Sequence, residues 1–347
     1  MTSAVSSSPS NGEYTVGWIC AISIEYLVAQ LCLDEEHARP GHLSRHDNND
    51  YTLGRVGKHN VVIAVLPDGE YGTSSAASVA RDMLHSFPNV RIGLMVGISG
   101  GAPSHVHDIR LGDLVVSAPR DGKGGVEQYD FGKTKQEQSF QLTGFLNRPP
   151  TVLLTAVGGL KTQYQRKRRQ LDEIISLILE KEDDLRGELS RPDASSDRLY
   201  RSDFVHPKDM KVGCAEACGV DPCNLISRPG RMEHPRSPVV HHGLIASANQ
   251  LMKDALTRDK LSKEMDILCF EMEAAGLMNN FPCLVIRGVC DYSDSHKSKE
   301  WQGYAAMVAA AYAKDLLYRM VPNKVEAEEK IGDMLSGNAK FWDPLVN

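Results

Sequence analysis

The sequence predicts an α/β fold built on a central sheet covered on both faces. Three observations carry this. Short continuous apolar runs recur along the chain, among them VGWICA, NVVIAVL, IGLMVG and CLVIRGV. Glycines flank several of them, and segments of helical character separate them. A half-exposed strand alternates apolar and polar residues, so unbroken apolar runs mean strands without a solvent face. Strands alternating with helices define the α/β class.

Each element follows in order. Residues 1–13 (MTSAVSSSPSNGE) are Ser-rich and lack the charged start and apolar core of a signal peptide, so they are expected as a disordered lead-in. A strand at 16–21 precedes a helix that Ser23 can cap, with Tyr26, Leu27, Gln30 and Leu31 at helical spacing. A second buried strand lies at 60–66. The Ala- and Ser-rich stretch 72–87 reads as a closely packing helix. A third strand at 92–97 ends in ISGGAP, and a fourth covers 113–117. Pro149-Pro150 opens a helix, since proline is tolerated in the first turn. The next segment, 161–189, is dense in charge and is expected as a solvated helix face. Proline-rich 191–237 reads as loops, so an insertion is expected over about 161–237. Strand character returns at 239–247 (VVHHGLIAS), followed by an amphipathic helix over 249–263. A strand at 266–270, a helix at 273–278, a strand at 283–289 and an Ala-rich helix at 304–320 complete the pattern. A polar tail is expected over 322–347. With no internal repeat and one continuing sheet pattern, a single domain over 14–321 is favoured over two.

Composition excludes several functions. The 347 residues are 41% hydrophobic and 24% charged, enough for a full core. Thirty-nine Lys and Arg against 45 Asp and Glu leave a net charge of −6, unlike a dedicated nucleic-acid binder, which needs a basic surface. No run of ~18 apolar residues suggests a membrane-spanning helix. A soluble, cytoplasmic protein is expected. Cysteines such as Cys20 and Cys283 sit in apolar runs, where a free thiol packs as a small hydrophobe. Cys214, Cys218 and Cys223 instead cluster in CAEACGVDPC, near His206 and His234. Zinc is conceivable there, but paired C-x2-C knuckles are missing, so a loop with packed thiols is preferred.

Three segments at strand ends can carry chemistry, the place where open α/β sheets bind ligands. The first, Met95 to Gly101 (MVGISGG), has glycines that let backbone N–H groups at Ser99 and Gly100 approach an oxygen-rich ligand. It is neither a P-loop nor a G-x-G-x-x-G turn. The second is Phe270-Glu271-Met272-Glu273-Ala274-Ala275, whose carboxylates can accept hydrogen bonds from a vicinal diol. The third, Arg287 to Asp294 (RGVCDYSD), places an arginine inside an apolar strand, which is costly unless it is paired, and ends that strand on Asp291.

Taken in order, GISGG, FEMEAAG and VIRGVCDYSD resemble the purine nucleoside/uridine phosphorylase superfamily, over roughly residues 14–320. More narrowly, the chain resembles the nucleoside-phosphorylase-like domains of fungi, often found at the N-terminus of larger receptor-type proteins. The resemblance implies a three-layer α/β/α sandwich around a mixed, partly barrel-like sheet. It implies cleavage of a nucleoside N-glycosidic bond, by phosphate in the phosphorylases and by water in the nucleosidases. Bacterial-type phosphorylases carry an arginine where Met95 stands here, and another in the first strand-to-helix loop, here Ala21 to Glu25. Neither is present, and a phosphate dianion needs such partners. Glu25 matches the last glutamate of the A-M-E-E-E element in the methylthioadenosine/adenosylhomocysteine nucleosidases, where it activates water. A purine nucleosidase is therefore the preferred reading. A phosphorylase, with Arg110 or Arg120 reaching the site, and a non-catalytic nucleoside-sensing module are the alternatives.

The resemblance assigns roles. Asp291 protonates the departing purine at N7. Glu273 holds the ribose hydroxyls, with Glu271 beside it and Met272 packed on the sugar. Glu25 orients and deprotonates water. Arg287 steadies the loop that bears Asp291. Leu251 and Met252 meet the base, although Leu251 is aliphatic where bacterial nucleosidases have an aromatic residue. No cofactor or metal is implied, and phosphate only for a phosphorylase. The expected partners are a small-molecule nucleoside and further copies of the chain, as a dimer or trimer.

Overall fold

The computed structural model describes residues 9–137, 140–167, 170–207, 212–231 and 237–340. The N-terminal half holds β1 (Val16–Cys20), α1 (Ser23–Leu31), β2 (Glu35–Glu36), β3 (Tyr51–Val56), β4 (His59–Val65), α2 (Thr73–Ser86), β5 (Ile92–Gly101) and β6 (Leu114–Ser117). Short strands β7 (Val126–Gln128), β8 (Gly132–Lys133) and β9 (Gln141–Leu142) follow, then helices α3 (Thr151–Arg166), α4 (Gln170–Leu179), α5 (Arg186–Leu189) and α6 (Cys214–Ala217). The remainder is β10 (Val240–Ser247), α7 (Ala255–Met265), β11 (Ile267–Glu271), α8 (Ala274–Leu277), β12 (Cys283–Asp291), α9 (Gln302–Arg319), α10 (Pro322–Glu326) and α11 (Ile331–Lys340).

One mixed sheet organises the molecule, in the order β11-β10-β6-β12-β5-β1-β4-β3-β2. The end of β5 also pairs antiparallel with β11, through Gly101 with Cys269 and Gly100 with Phe270. That second pairing curls one side of the sheet into a partial barrel. Register separates the two faces. Gly93 pairs with Gly17 and Cys283, and a Cβ on Gly17 or Gly93 would strike Phe281 at 2.8 or 2.3 Å. Gly288 lies at the opposite parity of β12, and its Cβ would sit 1.9 Å from the Ala305 carbonyl oxygen of α9. Side chains alternate along a strand, so Phe281 and α9 cover opposite faces. Helices therefore flank a central sheet, as the sequence implies.

Several boundaries differ from expectation. Asn11–Glu13 is not a free lead-in but a short 3-10 turn, held by Asn11 Nδ2 to the Ser86 carbonyl oxygen at 3.0 Å. Residues 1–8 of that expected segment lie outside the described residues. The strand β3 was unexpected, because Thr52, Gly54 and Arg55 dilute its apolar pattern. The helix expected from 249 starts at Ala255, where the Asp254 carboxylate accepts the N–H groups of Leu256 and Thr257 and caps it. Residues 248–254 are thereby left as a loop. The charged stretch is not wholly solvated, since Leu171, Ile175 and Ile178 are buried and α4 packs on α9. Among the described residues the expected polar tail forms α10 and α11, and buries Val325 and Ile331, while residues 341–347 lie outside the described residues. Among the described residues no helix is long and apolar enough to cross a membrane.

Candidate active site

The parallel ends of β1, β5 and β12 and the end of β11 converge on Arg287. This guanidinium is only 1% exposed, so its charge must be met by protein groups. It contacts the Glu271 carboxylate, lies 3.0 Å from Glu273 Oε2 and 3.9 Å from Glu25 Oε1. Arg287 was expected to steady the Asp291 loop. It is instead the common counter-charge of three buried glutamates. The spacing of an isolated arginine in a strand cannot say which carboxylates the fold will bring to it.

Each glutamate is held differently. Glu25 takes N–H donors from Ala21 at 2.6 Å and Ile22 at 3.2 Å on one oxygen, and from Ile98 at 2.7 Å on the other. Glu271 accepts the N–H groups of Glu273 and Ala274 and so caps α8. Its oxygens are largely committed to structure, although it borders the cavity described below. Glu273 receives only a long contact from the Gly72 N–H at 3.4 Å besides Arg287, which leaves it the most available of the three. Burial pushes the carboxyls of Glu25 and Glu273 above the ordinary range, against the opposing pull of Arg287. Three carboxylates on one guanidinium leave a surplus of negative charge, and an added proton or an arriving cation relieves it.

Asp291 ends β12 apart from this cluster. Its carboxylate accepts the Ser293 N–H at 2.8 Å and faces Lys297 Nζ at 2.8 Å. Ser293, at φ 53°, turns the chain so that Lys297 comes back toward Asp291. Lys297 was not anticipated, because only the folded loop brings it there.

The glycines of β5 serve this site in an unexpected way. The segment ISGG is not a turn but the continuation of the strand. A Cβ on Gly97 would lie 2.2 Å from Glu25 Oε1, and one on Gly100 would lie 2.5 Å from Asp291 Oδ1. They make room for the acidic side chains to cross the strand.

A cavity of about 470 Å³ opens over these groups. Glu25, Ser99, Gly100, Leu251, Met252, Glu271, Met272, Glu273 and Asp291 all line it, so segments far apart in sequence meet there. Arg287 lies beneath. Phe270, from the second of the three segments, also lines it, and Tyr71, Lys297 and Lys299 are further lining residues that sequence reasoning missed. Phe270 supplies an aromatic face, and Leu251 is half-exposed at the rim. Arg110 is engaged by Asp108 and the Pro229 carbonyl, and Arg120 by Asp266; neither lines the cavity.

The cysteine-rich segment divides. Cys223 is exposed. Cys214 and Cys218 face His206 and His296, a pair of histidines that includes one from the Asp291 loop. His234 lies outside the described residues.

This architecture is similar to that of solved nucleosidases. The 5′-methylthioadenosine/S-adenosylhomocysteine nucleosidase of Neisseria meningitidis, solved with methylthio-immucillin-A, superposes with a TM-score of 0.52 at 14% identity, over 88% of this chain and 98% of that one. No protein-family model matches the chain. A nucleotide-binding leucine-rich repeat (NLR)-like protein of the fungus Hyaloscypha variabilis is 44% identical over 90% of this chain and 30% of its own length. A death domain-containing ATP nucleosidase of Amphimedon queenslandica is 24% identical over 76% of this chain and 40% of its own length. The chain thus spans well under half the length of these curated relatives.

Proposed function

We propose that the chain hydrolyses the N-glycosidic bond of a purine nucleoside, giving free base and ribose. One observation carries the reading: Glu25, Glu273 and Asp291, from three separate segments, line one cavity to which no arginine among the described residues contributes. The reaction passes through a sugar that gains positive charge while the base leaves with negative charge. Glu273 accepts hydrogen bonds from the ribose hydroxyls, and its charge favours the cationic sugar. Glu25 has an oxygen with one backbone donor, so a lone pair remains for water. Its raised proton affinity makes it a better base toward that water. As the base leaves with negative charge, Asp291 relays a proton from Lys297 Nζ, 2.8 Å away, to N7, and Lys297 is left as a neutral amine that solvent reprotonates. Met272 packs on the sugar, and Phe270 and Met252 offer apolar surface to the base.

A 5′-phosphorylated substrate is a second reading. Lys297 and Lys299 at the cavity favour it, as does the similarity to an ATP nucleosidase. The NLR-like relative favours a third, in which the chain is a nucleoside-sensing module within a longer receptor. One experiment separates them. The protein is incubated with adenosine, inosine, guanosine, uridine, methylthioadenosine and ATP, each with and without phosphate, and base, ribose products and ribose 1-phosphate are assayed. Phosphate-independent release of a purine base is expected. Ribose 1-phosphate as the product would overturn hydrolysis, and binding without any turnover would favour the sensor. Glu25→Gln and Asp291→Asn are each expected to lower the rate by ~10²–10⁴ with the fold retained. Normal turnover by both folded variants would sink the assignment.

A further inference from the structure

We propose that His206, Cys214, Cys218 and His296 form a structural zinc site that fastens the inserted segment to the loop bearing Asp291. Their ligand atoms all lie within 4.8 Å of one another. His206 Nδ1 is 3.1 Å from Cys218 Sγ and 3.4 Å from Cys214 Sγ. His296 Nδ1 is 3.4 Å from Cys218 Sγ and 3.7 Å from Cys214 Sγ. A tetrahedral zinc ion with Zn–S of ~2.3 Å and Zn–N of ~2.0–2.1 Å places its sulfur and nitrogen ligands ~3.6 Å apart. The four distances bracket that edge.

Hydrogen bonding alone does not account for the arrangement. Each imidazole Nδ1 has either one lone pair or one proton, so the two rings together can make at most two linear hydrogen bonds among the four S···N contacts. A single cation at the centre serves all four.

A second observation fixes the ring chemistry. His296 Nε2 lies 3.0 Å from the Phe204 carbonyl oxygen, which can only accept. The ring proton is therefore on Nε2, and the Nδ1 lone pair points at the sulfurs. This is the orienting hydrogen bond that metal-binding histidines make through their other nitrogen. Tyr200 stacks on the same ring with centroids 4.1 Å apart and holds its plane. Four protein ligands leave no open position, the mark of a structural rather than a catalytic zinc.

The connectivity gives the site its role. Cys214 and Cys218 bracket α6 in the inserted segment. His296 stands between Asp294 and Lys297, the lysine that contacts Asp291. One ion would thus join segments about eighty residues apart at the position where the loop must be held.

Metal analysis of the full chain tests this independently of any enzymatic reading. The protein is expressed with zinc supplied, isolated anaerobically, desalted, and assayed for metal by mass spectrometry. One zinc per chain is expected. Exchange with Co²⁺ should give the intense visible bands of a tetrahedral site and thiolate charge transfer in the near ultraviolet. The Cys214→Ser/Cys218→Ser double variant should lose both, whereas Cys223→Ser should keep both. Circular dichroism shows whether the double variant folds, and the wild-type measurements stand even if it does not. A folded wild-type chain without zinc and without the tetrahedral cobalt spectrum would overturn the proposal. So would a Cys214–Cys218 disulfide in the anaerobic protein, or full metal content in the folded double variant.

Discussion

Lys297 shows what a linear motif withholds. Glu25, Glu273 and Asp291 were legible because each closes a strand or opens a helix in a recognisable segment. Lys297 lies in a polar stretch with no such mark, and it gains meaning only when Ser293 adopts a positive φ and folds the loop back. Arg287 was half-legible. Its burial in an apolar strand demanded a partner, but local spacing could not name Glu25, Glu271 and Glu273 together. His296 was illegible for the same reason as Lys297, since its neighbours Phe204, Cys214 and Cys218 lie about eighty to ninety residues earlier in the chain. The proposed mechanism makes Lys297 the proton reservoir of Asp291. Lys297→Met is therefore expected to lower kcat by ~10²-fold, with no further loss when added to Asp291→Asn. Rates of base release by the single and double variants check this, and independent, multiplying losses would refute it.

At the scale of elements, buried strands were read well because an unbroken apolar run has no other stable home. Errors arose where polar residues do local work. Capped by Asp254, α7 begins six residues after the expected start, and the freed loop becomes the wall that carries Leu251 and Met252. At Gly288, β12 approaches the backbone of α9 at Ala305 with no room for a side chain. Gly288→Ala would drive a methyl group against the backbone of Ala305, which cannot rotate away. A loss of ~1–3 kcal/mol is expected, seen as a lower urea midpoint. Gly158→Ala in α3 is the control, since nothing lies within 4 Å of its added Cβ. That change should be stabilising by ~0.5–1 kcal/mol through helix propensity.

For the whole molecule, acid stability should turn on Asp113, a buried node where the start of β6, Arg231 and β10 meet. Burial opposes its ionisation, but Arg231 at 2.6 Å and His241 at 3.0 Å hold its pKa down at about 2. Its stabilising contribution is complete above the ordinary aspartate range near 4 and vanishes as the pH falls through about 2. The amount at stake is roughly 2 kcal/mol. Urea midpoints of the parent should fall between about pH 5 and pH 2, and Asp113→Asn should flatten that slope. An unchanged slope would show that other groups set it. The Arg287 cluster carries a different kind of consequence, one that concerns descent. Because three glutamates share one guanidinium, loss of any member changes the fitness cost of losing the others. Substitutions there are expected to be epistatic, so a lineage that loses one of the four residues should tend to lose the others.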